Sequence, residues 1–404
     1  MRCASVASVI RASVVVFTVG LALSGCASGR FGPPPETKAP EGPRTLRQLS
    51  VEERRAVVAR ARVWQPVNTS SLDLIKGPAL PAAERVAAHT TCTYVHPEAP
   101  LSGNTPKFQC AVAKGDGVKV KYGQDNGEVY AEVAASRLFW ALGFKADTML
   151  PTRVTCVNCP VDPFAAGTTD WRSKPPTDVA TRVFDPAVIE RDVPGKKVEV
   201  PGYEGWAWPE LDQFHPRGEG ATRAHLDALK LLAVFIQHSD SKPDQQEIVC
   251  EQGRTRTDAA GHETCPAPWL VIKDLGATFG KATRLNSSKM VLADWDSAGI
   301  WKVVPRGQHV SAAGPASCLG DLPRSLSGSL EDPRIGEAGR RFLSRRLARL
   351  SDRQIRDLFT VSQVEKRGEE ITGGDGHKRR VTVADWVRVF KRKRSEIAAA
   401  RCQP

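Results

Sequence analysis

The stretch that decides the fold of this chain is His238-Ser239-Asp240-Ser241-Lys242-Pro243-Asp244-Gln245. It comes directly after residues 221–237, which are predicted to form a buried helix because apolar side chains recur along one face. These side chains are Leu226, Leu229, Ala233 and Ile236. We therefore expect a carboxylate, an ammonium group and amide oxygens together, just beyond the end of a rigid element.

A second polar stretch follows a short apolar strand. Residues 269–272 have the length and composition of a buried strand, and they lead into Lys273-Asp274-Leu275-Gly276. An Asp-Leu-Gly sequence after a strand is by itself a common turn. Here it gains significance because it follows the first stretch, so that two sets of polar groups would be carried at the ends of buried elements.

Upstream of both stretches lies a strand that carries lysines, followed by a helix that carries acidic residues. Gly117–Tyr122 alternates with period two, which puts Lys119 and Lys121 on the same face of the strand. Glu128–Leu142 is predicted to be a helix closed by the glycine that follows it. Glu132 lies in the first half of this helix.

Taken in order, the three segments resemble the protein-kinase-like fold, and the acidic helix is similar in spacing to that of the atypical, HipA-type kinases. The resemblance covers residues 90–300. It implies an α+β, two-lobed architecture with a small β-rich N-terminal lobe and a mainly helical C-terminal lobe. It also implies catalytic roles for Asp240 and Lys242, and metal binding by Asp274 and Gln245.

The resemblance further implies a phosphate-binding lysine that is held by a glutamate. By that match Glu132 pairs with Lys121 or Lys119, and Lys121 is preferred. No glycine-rich GxGxxG is present. Ser102–Lys107 lies where a phosphate-covering hairpin is expected, so Lys107 would add a charge. The implied cofactors are ATP and Mg²⁺ or Mn²⁺, because phosphoryl transfer needs positioning and charge neutralisation rather than covalent help.

The sequence departs from the family pattern in three places. Ser239 stands where an arginine usually reads phosphorylation of the activation loop, which puts that mode of control in doubt. Gln245 replaces a metal-binding asparagine, with Asp244 and Gln246 as alternative ligands. Residues 251–264 lengthen the connection between the two polar stretches and are predicted to form an inserted hairpin.

Composition and periodicity divide the chain further. We expect a signal peptide over residues 1–25, a Pro/Gly-rich tether over 26–45, the N-terminal lobe over 46–155, the C-terminal lobe over 156–330 and a basic helical region over 331–404. Residues 160–216 show little periodicity and are predicted to form loops and short strands. Other helices are predicted over residues 51–61, 340–350, 352–359 and 384–400.

The N-terminus resembles that of a bacterial lipoprotein. An apolar run over residues 14–23 is too short to cross about 30 Å of hydrocarbon but has the length of a signal-peptide core. Leu23-Ser24-Gly25-Cys26 resembles a lipobox, which implies a lipid anchor on Cys26. The chain would then face the periplasm or the exterior of the cell envelope, and Ala27 favours the outer membrane. An ordinary secretory signal with a chance cysteine is the alternative.

The cysteine count fits an exported protein, because disulfides persist outside the cytosol. Of the 10 cysteines, eight remain once Cys26 and the one in the signal peptide are set aside. A zinc site on the Cys156-Val157-Asn158-Cys159 motif is an alternative, but no second CxxC or nearby Cys/His pair supports it. We expect the pairs Cys92–Cys110, Cys156–Cys159, Cys250–Cys265 and Cys318–Cys402, the first three because they are close in sequence.

The net charge of +12 is concentrated at the C-terminal end. From Asp332 onward, 19 lysines and arginines stand against 10 aspartates and glutamates. Such a surface favours anionic partners, for example phospholipid head groups or phosphorylated ligands, or it is simply solvated. Nucleic acid is not expected as a partner of an envelope protein, and the sequence leaves the oligomeric state open.

The leading functional prediction is an envelope-anchored atypical kinase that transfers a phosphoryl group from ATP to a hydroxyl of a protein, lipid or sugar. The alternative is a non-catalytic, kinase-like (pseudokinase) module that binds partners at the envelope surface. Nucleotidyl transfer on the same fold cannot be separated from kinase activity by sequence. A Ser/His/Asp hydrolase is disfavoured, because the chain has no G-x-S-x-G elbow.

Overall fold

Most of the strands come first and most of the longer helices come later in this mixed α+β chain. The structure is a computed structural model, and it describes residues 50–172, 175–198, 205–212, 221–257, 259, 261, 263–285, 287–303, 318–374 and 376–402. The expected signal peptide, the tether and Cys26 lie outside these residues. None of the helices in the described ranges has the length and apolarity needed to span a membrane.

Five strands close a small barrel. They are β1 (His89–Val95), β2 (Lys107–Ala113), β3 (Asp116–Tyr122), β5 (Thr148–Pro160) and β6 (Val179–Arg191). The order around the barrel is β1–β2–β3–β6–β5. Neighbouring strands are antiparallel except β1 and β5, which run parallel and complete the closure.

Side chains alternate between the inside and the outside of the barrel, as the period-two pattern of a strand requires. Phe108, Val120 and Val154 are among the fully buried side chains of the interior. Lys121 pairs in register with Lys107 on β2, and Lys119 pairs with Glu190 on β6. These charged residues belong to the outward set.

The helix α2 (Gly127–Leu142) packs against the outside of the barrel, where it contacts β3, β5 and β6. Its start is fixed by Asn126, whose side chain accepts a hydrogen bond from the Glu128 N–H, and its end by Gly143 in the left-handed conformation at φ +91°. Every residue of α2 except Trp140 is buried. The helix is therefore part of the core and not a surface element.

The later part of the chain is mainly helical. The other helices of the described residues are α1 (Val51–Arg60), α3 (Pro163–Gly167), α4 (Trp208–Leu211), α5 (Arg223–Ile236), α6 (Leu292–Ser297), α7 (Glu337–Ala348), α8 (Asp352–Val361) and α9 (Val383–Ala399). The predicted capping box is present at the start of α1, where the side chain of Ser50 accepts from the Glu53 N–H and the side chain of Glu53 accepts from the Ser50 N–H.

A second, smaller sheet lies within the helical part. Its strands are β4 (Lys145–Ala146), β7 (Gly195–Lys197), β8 (Gln246–Glu251) and β11 (Trp269–Ile272), in the order β4–β11–β8–β7. Two short hairpins complete the described strands: β9 (Arg256–Thr257) with β10 (Glu263–Thr264), and β12 (Glu370–Thr372) with β13 (Lys378–Arg380). The first hairpin falls within the segment predicted as an insertion.

The eight remaining cysteines form four disulfides: Cys92–Cys110, Cys156–Cys159, Cys250–Cys265 and Cys318–Cys402. These are the pairs expected from the sequence. The alternative zinc site on the CxxC motif does not form, because both of its sulfurs are used in one disulfide.

Two expected boundaries are wrong. The border between lobes at 155/156 falls inside β5, and the barrel continues to Arg191, so residues 179–191 are one long strand and not loops and short strands. The first half of β6 pairs with β5 as a largely exposed ribbon, which leaves no apolar alternation to detect. Residues 331–404 do not stand apart either, because α7 packs directly on α5.

Candidate functional site

The sequence-predicted polar groups meet in a cleft between the barrel and the helical part. The cavity has a volume of about 410 Å³. It is lined by Lys107, Lys121, Asp240, Lys242, Gln245 and Asp274, and also by Lys119 and Asp244, which the sequence analysis named as alternatives. Glu132 lies behind them on α2, where it is fully buried.

Lys121 is the centre of a buried ionic cluster. Its ammonium group donates a hydrogen bond to Glu132, lies 3.1 Å from Asp274 Oδ1 and lies 3.6 Å from Glu128 Oε2. The side chain is 3% exposed. Lys119, the alternative phosphate lysine, instead pairs with Glu190 at 2.6 Å. Of the two lysines, only Lys121 meets the α2 glutamate.

The cluster fixes the charge states of its members. Burial alone would lower the pKa of Lys121, but the charges of Glu132 and Asp274 outweigh it and raise this pKa well above its usual value. Burial would raise the pKa of Asp274, yet the charge of Lys121 holds it well below its usual range. Burial raises the pKa of Glu132. Lys121 and Asp274 are therefore both ionised at neutral pH.

Two glycines let the start of α2 approach the Asp274 loop closely. A Cβ on Gly276 would lie 2.6 Å from the Cγ of Glu128, and a Cβ on Gly127 would lie 2.1 Å from the carbonyl oxygen of Lys289. Glu128 also accepts a hydrogen bond from the ammonium group of Lys289. The Asp-Leu-Gly sequence therefore serves a packing need in addition to presenting Asp274.

The Asp240 loop starts where α5 ends. Gln237 caps this helix in the left-handed conformation at φ +56°. The loop is then held by a neighbouring segment, because the Ser241 Oγ accepts from the N–H of Ser329 at 3.1 Å and the Ser329 Oγ donates to the Ser241 carbonyl at 2.7 Å. On the other side of Asp240 the Ser325 Oγ donates to the Ser239 carbonyl at 2.9 Å, so the backbone is held both before and after Asp240.

The Asp240 carboxylate forms an ion pair with Lys242 at 3.4 Å. Burial raises the pKa of Asp240, and the charge of Lys242 partly offsets this rise. Such a carboxylate is a stronger base than an exposed aspartate, while it remains available to the cleft. His238 differs: it is fully buried, and burial lowers its pKa to about 4, so the ring is neutral.

The donor set of the cleft fits a divalent cation. The side chain of Asp274 is 34% exposed toward the cleft, and Gln245 lines the same wall. Carboxylate and amide oxygens are the hard ligands that Mg²⁺ and Mn²⁺ prefer. Of the two alternative ligands, Asp244 also lines the cleft, whereas Gln246 is fully buried and is not among the lining residues.

The loop between β1 and β2 covers one end of the cleft. Residues 101–105 line the cavity, and a Cβ on Gly103 would lie 3.0 Å from the Nζ of Lys107. Lys107 is 8% exposed and forms no ion pair with any described residue. Burial and the charge of Lys121 lower its pKa. It is a cation without a fixed partner at the mouth of the site.

Sequence reasoning missed several residues that shape the site. Glu128 could have been found, because it lies four residues before Glu132 and so on the same face of α2. Lys289 gave no signal, because it reaches the site from a loop of irregular structure. The third missed feature is a second cluster in which the carboxylate oxygens of Asp147, Glu190 and Asp192 lie within 4.8 Å of one another.

A scan against models of known protein families finds no match, and a search of curated protein sequences finds none either. Among solved structures, the chain is similar to the proinflammatory kinase CtkA of Helicobacter pylori, with 12% sequence identity and a TM-score of 0.38. The match covers 76% of this chain and 94% of that one.

Proposed function

We propose that this chain is an atypical, kinase-like phosphotransferase that moves a phosphoryl group from a phosphoanhydride donor to a hydroxyl acceptor. The observation that carries the proposal is the convergence of Lys121, Asp240, Gln245 and Asp274 on one cavity. A buried Lys–Glu pair, an ionised aspartate and a second aspartate with a raised pKa supply phosphate binding, metal binding and proton acceptance in one place.

Each residue has a defined part in the reaction. Lys121, held by Glu132, binds donor phosphate oxygens and offsets their charge. Asp240 orients the acceptor hydroxyl and takes its proton as the oxygen bonds to phosphorus and the anhydride bond breaks. Lys242 lies beside Asp240 and stabilises the charge on the transferred group. Asp274 and Gln245 would hold Mg²⁺ or Mn²⁺, which neutralises the phosphate oxygens. ATP is the donor that the sequence resemblance implies.

The test uses the full-length protein with Mg²⁺ and ATP or inorganic tripolyphosphate. We expect either ligand to raise the unfolding temperature in the presence of Mg²⁺, because binding to the folded state stabilises it. Asp274→Asn is expected to remove this rise. Asp240→Asn is expected to keep it and to lose transfer of the terminal phosphoryl group to water, which is the acceptor in this assay and gives free phosphate.

The proposal is overturned if neither ligand stabilises the protein, or if Asp274→Asn leaves the stabilisation unchanged. Stabilisation with equal, zero turnover in the wild type and in Asp240→Asn would instead favour the non-catalytic binding module. Asp274→Asn therefore tests metal binding through the stabilisation, and Asp240→Asn tests proton transfer through the turnover.

We also propose that the protein is a lipoprotein of the cell envelope, anchored through Cys26, with its basic C-terminal helices facing anionic partners. The lipobox-like sequence and the disulfides support this location. Incorporation of radiolabelled palmitate into the wild type but not into Cys26→Ser is the expected result. Equal labelling of both proteins would refute the anchor.

A further inference from the structure

Charged side chains line the cleft along its whole length. Of the eighteen described residues that line it, six are lysines and six are aspartates or glutamates, and Leu101 is the one large apolar side chain. Sites for drug-like or aromatic ligands are mostly apolar, with a few polar groups for orientation. This cleft has the opposite composition.

Ion pairs line the cleft on the side of the barrel and on the side of the smaller sheet. On the barrel side Lys119 pairs with Glu190, which is 8% exposed. On the side of the smaller sheet Lys273 lies 3.6 Å from Glu247, which is 13% exposed. A flat, aromatic base between these two sides would cover ion pairs without replacing the water that solvates them, and this is unfavourable.

The connection between β6 and β7 has two polar groups that are engaged within the protein. The N–H of Val193 already donates to the Asp147 carboxylate at 3.1 Å, and Pro194 has no N–H. The Asp192 carboxylate accepts a hydrogen bond from Lys273 at 2.9 Å. Asp192, Val193 and Pro194 are not among the described residues that line the cleft, so this connection supplies it with no hydrogen-bonding groups.

Four further lysines line the cleft, and all but Lys107 are ion-paired: Lys121 with Glu132 and Asp274, Lys242 with Asp240, and Lys289 with Glu128. Lys107 is nearly buried and has no carboxylate partner among the described residues, and it lies across from Lys121 in the register of β2 and β3. Lys289 and Lys242 line the same cavity. These four ammonium groups suit a chain of phosphates, which carries its charge along its whole length.

We propose that the phosphoryl donor at this site is a condensed inorganic phosphate, such as pyrophosphate or a short polyphosphate, and not a nucleoside triphosphate. The inference rests on the proposed phosphotransferase function. The acceptor oxygen bonds to the terminal phosphorus, and the bond from that phosphorus to its bridging oxygen breaks. The hydroxyl proton passes to Asp240, and the donor leaves one phosphate shorter.

The test compares Mg²⁺ complexes of tripolyphosphate and ATP on the full-length protein by isothermal titration calorimetry. The two ligands share a triphosphate, so their difference measures what the nucleoside adds. We expect ATP to bind no more than fivefold more tightly than tripolyphosphate, and adenosine at millimolar concentration not to displace either ligand. ATP that binds more than fivefold more tightly, or displacement by adenosine, overturns the inference while the proposed function stands.

Two variants tie the result to this cleft. Lys107→Ala is expected to weaken both ligands about equally, by tenfold or more, because it removes an ammonium group that no carboxylate of the described residues holds. Lys119→Met together with Glu190→Gln is expected to increase the affinity for ATP relative to tripolyphosphate at least threefold, because the two changes remove both charges of an ion pair that lines the cleft. A loss of ATP affinity alone in this double variant would mean that the ion pair binds the base, which contradicts the inference. No binding of either ligand to the wild type would instead refute the proposed function.

Discussion

Replacing Lys121 by methionine should destabilise the protein strongly and in a pH-dependent way. The ammonium group is 3% exposed and lies among the carboxylates of Glu128, Glu132 and Asp274. Removing one partner of a buried ion pair costs about 3–5 kcal/mol. Methionine keeps the volume of the side chain, so the loss is electrostatic. Because three carboxylates lose their common cation, we expect a loss near the upper end, about 4 kcal/mol at pH 7.5.

The pH dependence has a definite sign. In the wild type the lowered pKa of Asp274 contributes stability that is present above the unfolded pKa and is lost only as the pH falls toward the folded one. The pKa of Glu132 is already raised in the wild type; without Lys121 the pKa values of Glu128 and Asp274 rise as well, so the folded variant binds more protons than both the folded wild type and the unfolded chain. Its stability then falls as the pH rises. The deficit relative to wild type should shrink between pH 7.5 and pH 5.

The assay is urea denaturation with the disulfides intact, at pH 7.5 and pH 5. Lys119→Met is the matched control, since it makes the same change on the same strand face two residues away. The Lys119 side chain is 40% exposed, so its loss should cost no more than about 1 kcal/mol. Equal losses in the two variants, or a Lys121→Met loss that does not depend on pH, would show that Lys121 does not hold a buried cluster.

Three further predictions concern packing, cross-linking and burial. Gly276→Ala should lower the free energy of unfolding by about 1–3 kcal/mol, because the new methyl group would lie 2.6 Å from the Cγ of Glu128. Replacing both Cys318 and Cys402 by alanine opens a loop with a sequence separation of 84 residues, and should cost about 4.5 kcal/mol in chemical denaturation. Burial raises the pKa of Asp147 to about 7, so its contribution to stability falls as the pH rises from about 4 to 7. The free energy of unfolding of Asp147→Asn should therefore rise relative to that of the wild type as the pH increases over that range, as measured by denaturation at several pH values.

Each of these three has a control within the chain. Gly117→Ala should be neutral, because a Cβ there meets no atom within 4 Å, and a large loss would undermine the packing argument. Loss of the Cys92–Cys110 disulfide, with a separation of 18 residues, should cost less, about 3 kcal/mol. The reverse order would contradict the loop-length reasoning. A pH-independent difference for Asp147→Asn would mean that this carboxylate does not titrate in the folded protein.

The elements that carry the site were predictable because each has a strong local signal. The helix α2 combines an alanine-rich apolar sequence with a capping asparagine and a closing glycine, and its observed bounds, Gly127–Leu142, differ from the prediction by one residue. The helix α5 has apolar residues at helical spacing and ends at Ile236, with Gln237 as the cap before His238. The order of the polar stretches then indicated one shared cleft.

Other features depend on tertiary contacts that a single sequence does not encode locally. Alternation put Lys119 and Lys121 on one strand face, but only the position of α2 decides which of them meets Glu132. The first half of β6 is largely exposed, so its sequence shows no alternation of apolar and polar residues that would predict a strand. The ion pairs of Glu190 and Lys273 join residues from distant segments, so the sequence alone does not predict that ion pairs line the cleft.

The burial of α2 has a consequence for control of activity. Helices that act as switches expose little apolar surface when they move, whereas all but one residue of α2 is buried, and its first turn is wedged between Gly276 and Lys289. Swinging this helix outward would expose a large part of the core together with Glu132. The Lys121–Glu132 pair is thus assembled once, during folding, and stays assembled. Under the proposed function, a pair that stays assembled leaves the supply of donor and acceptor to set the rate.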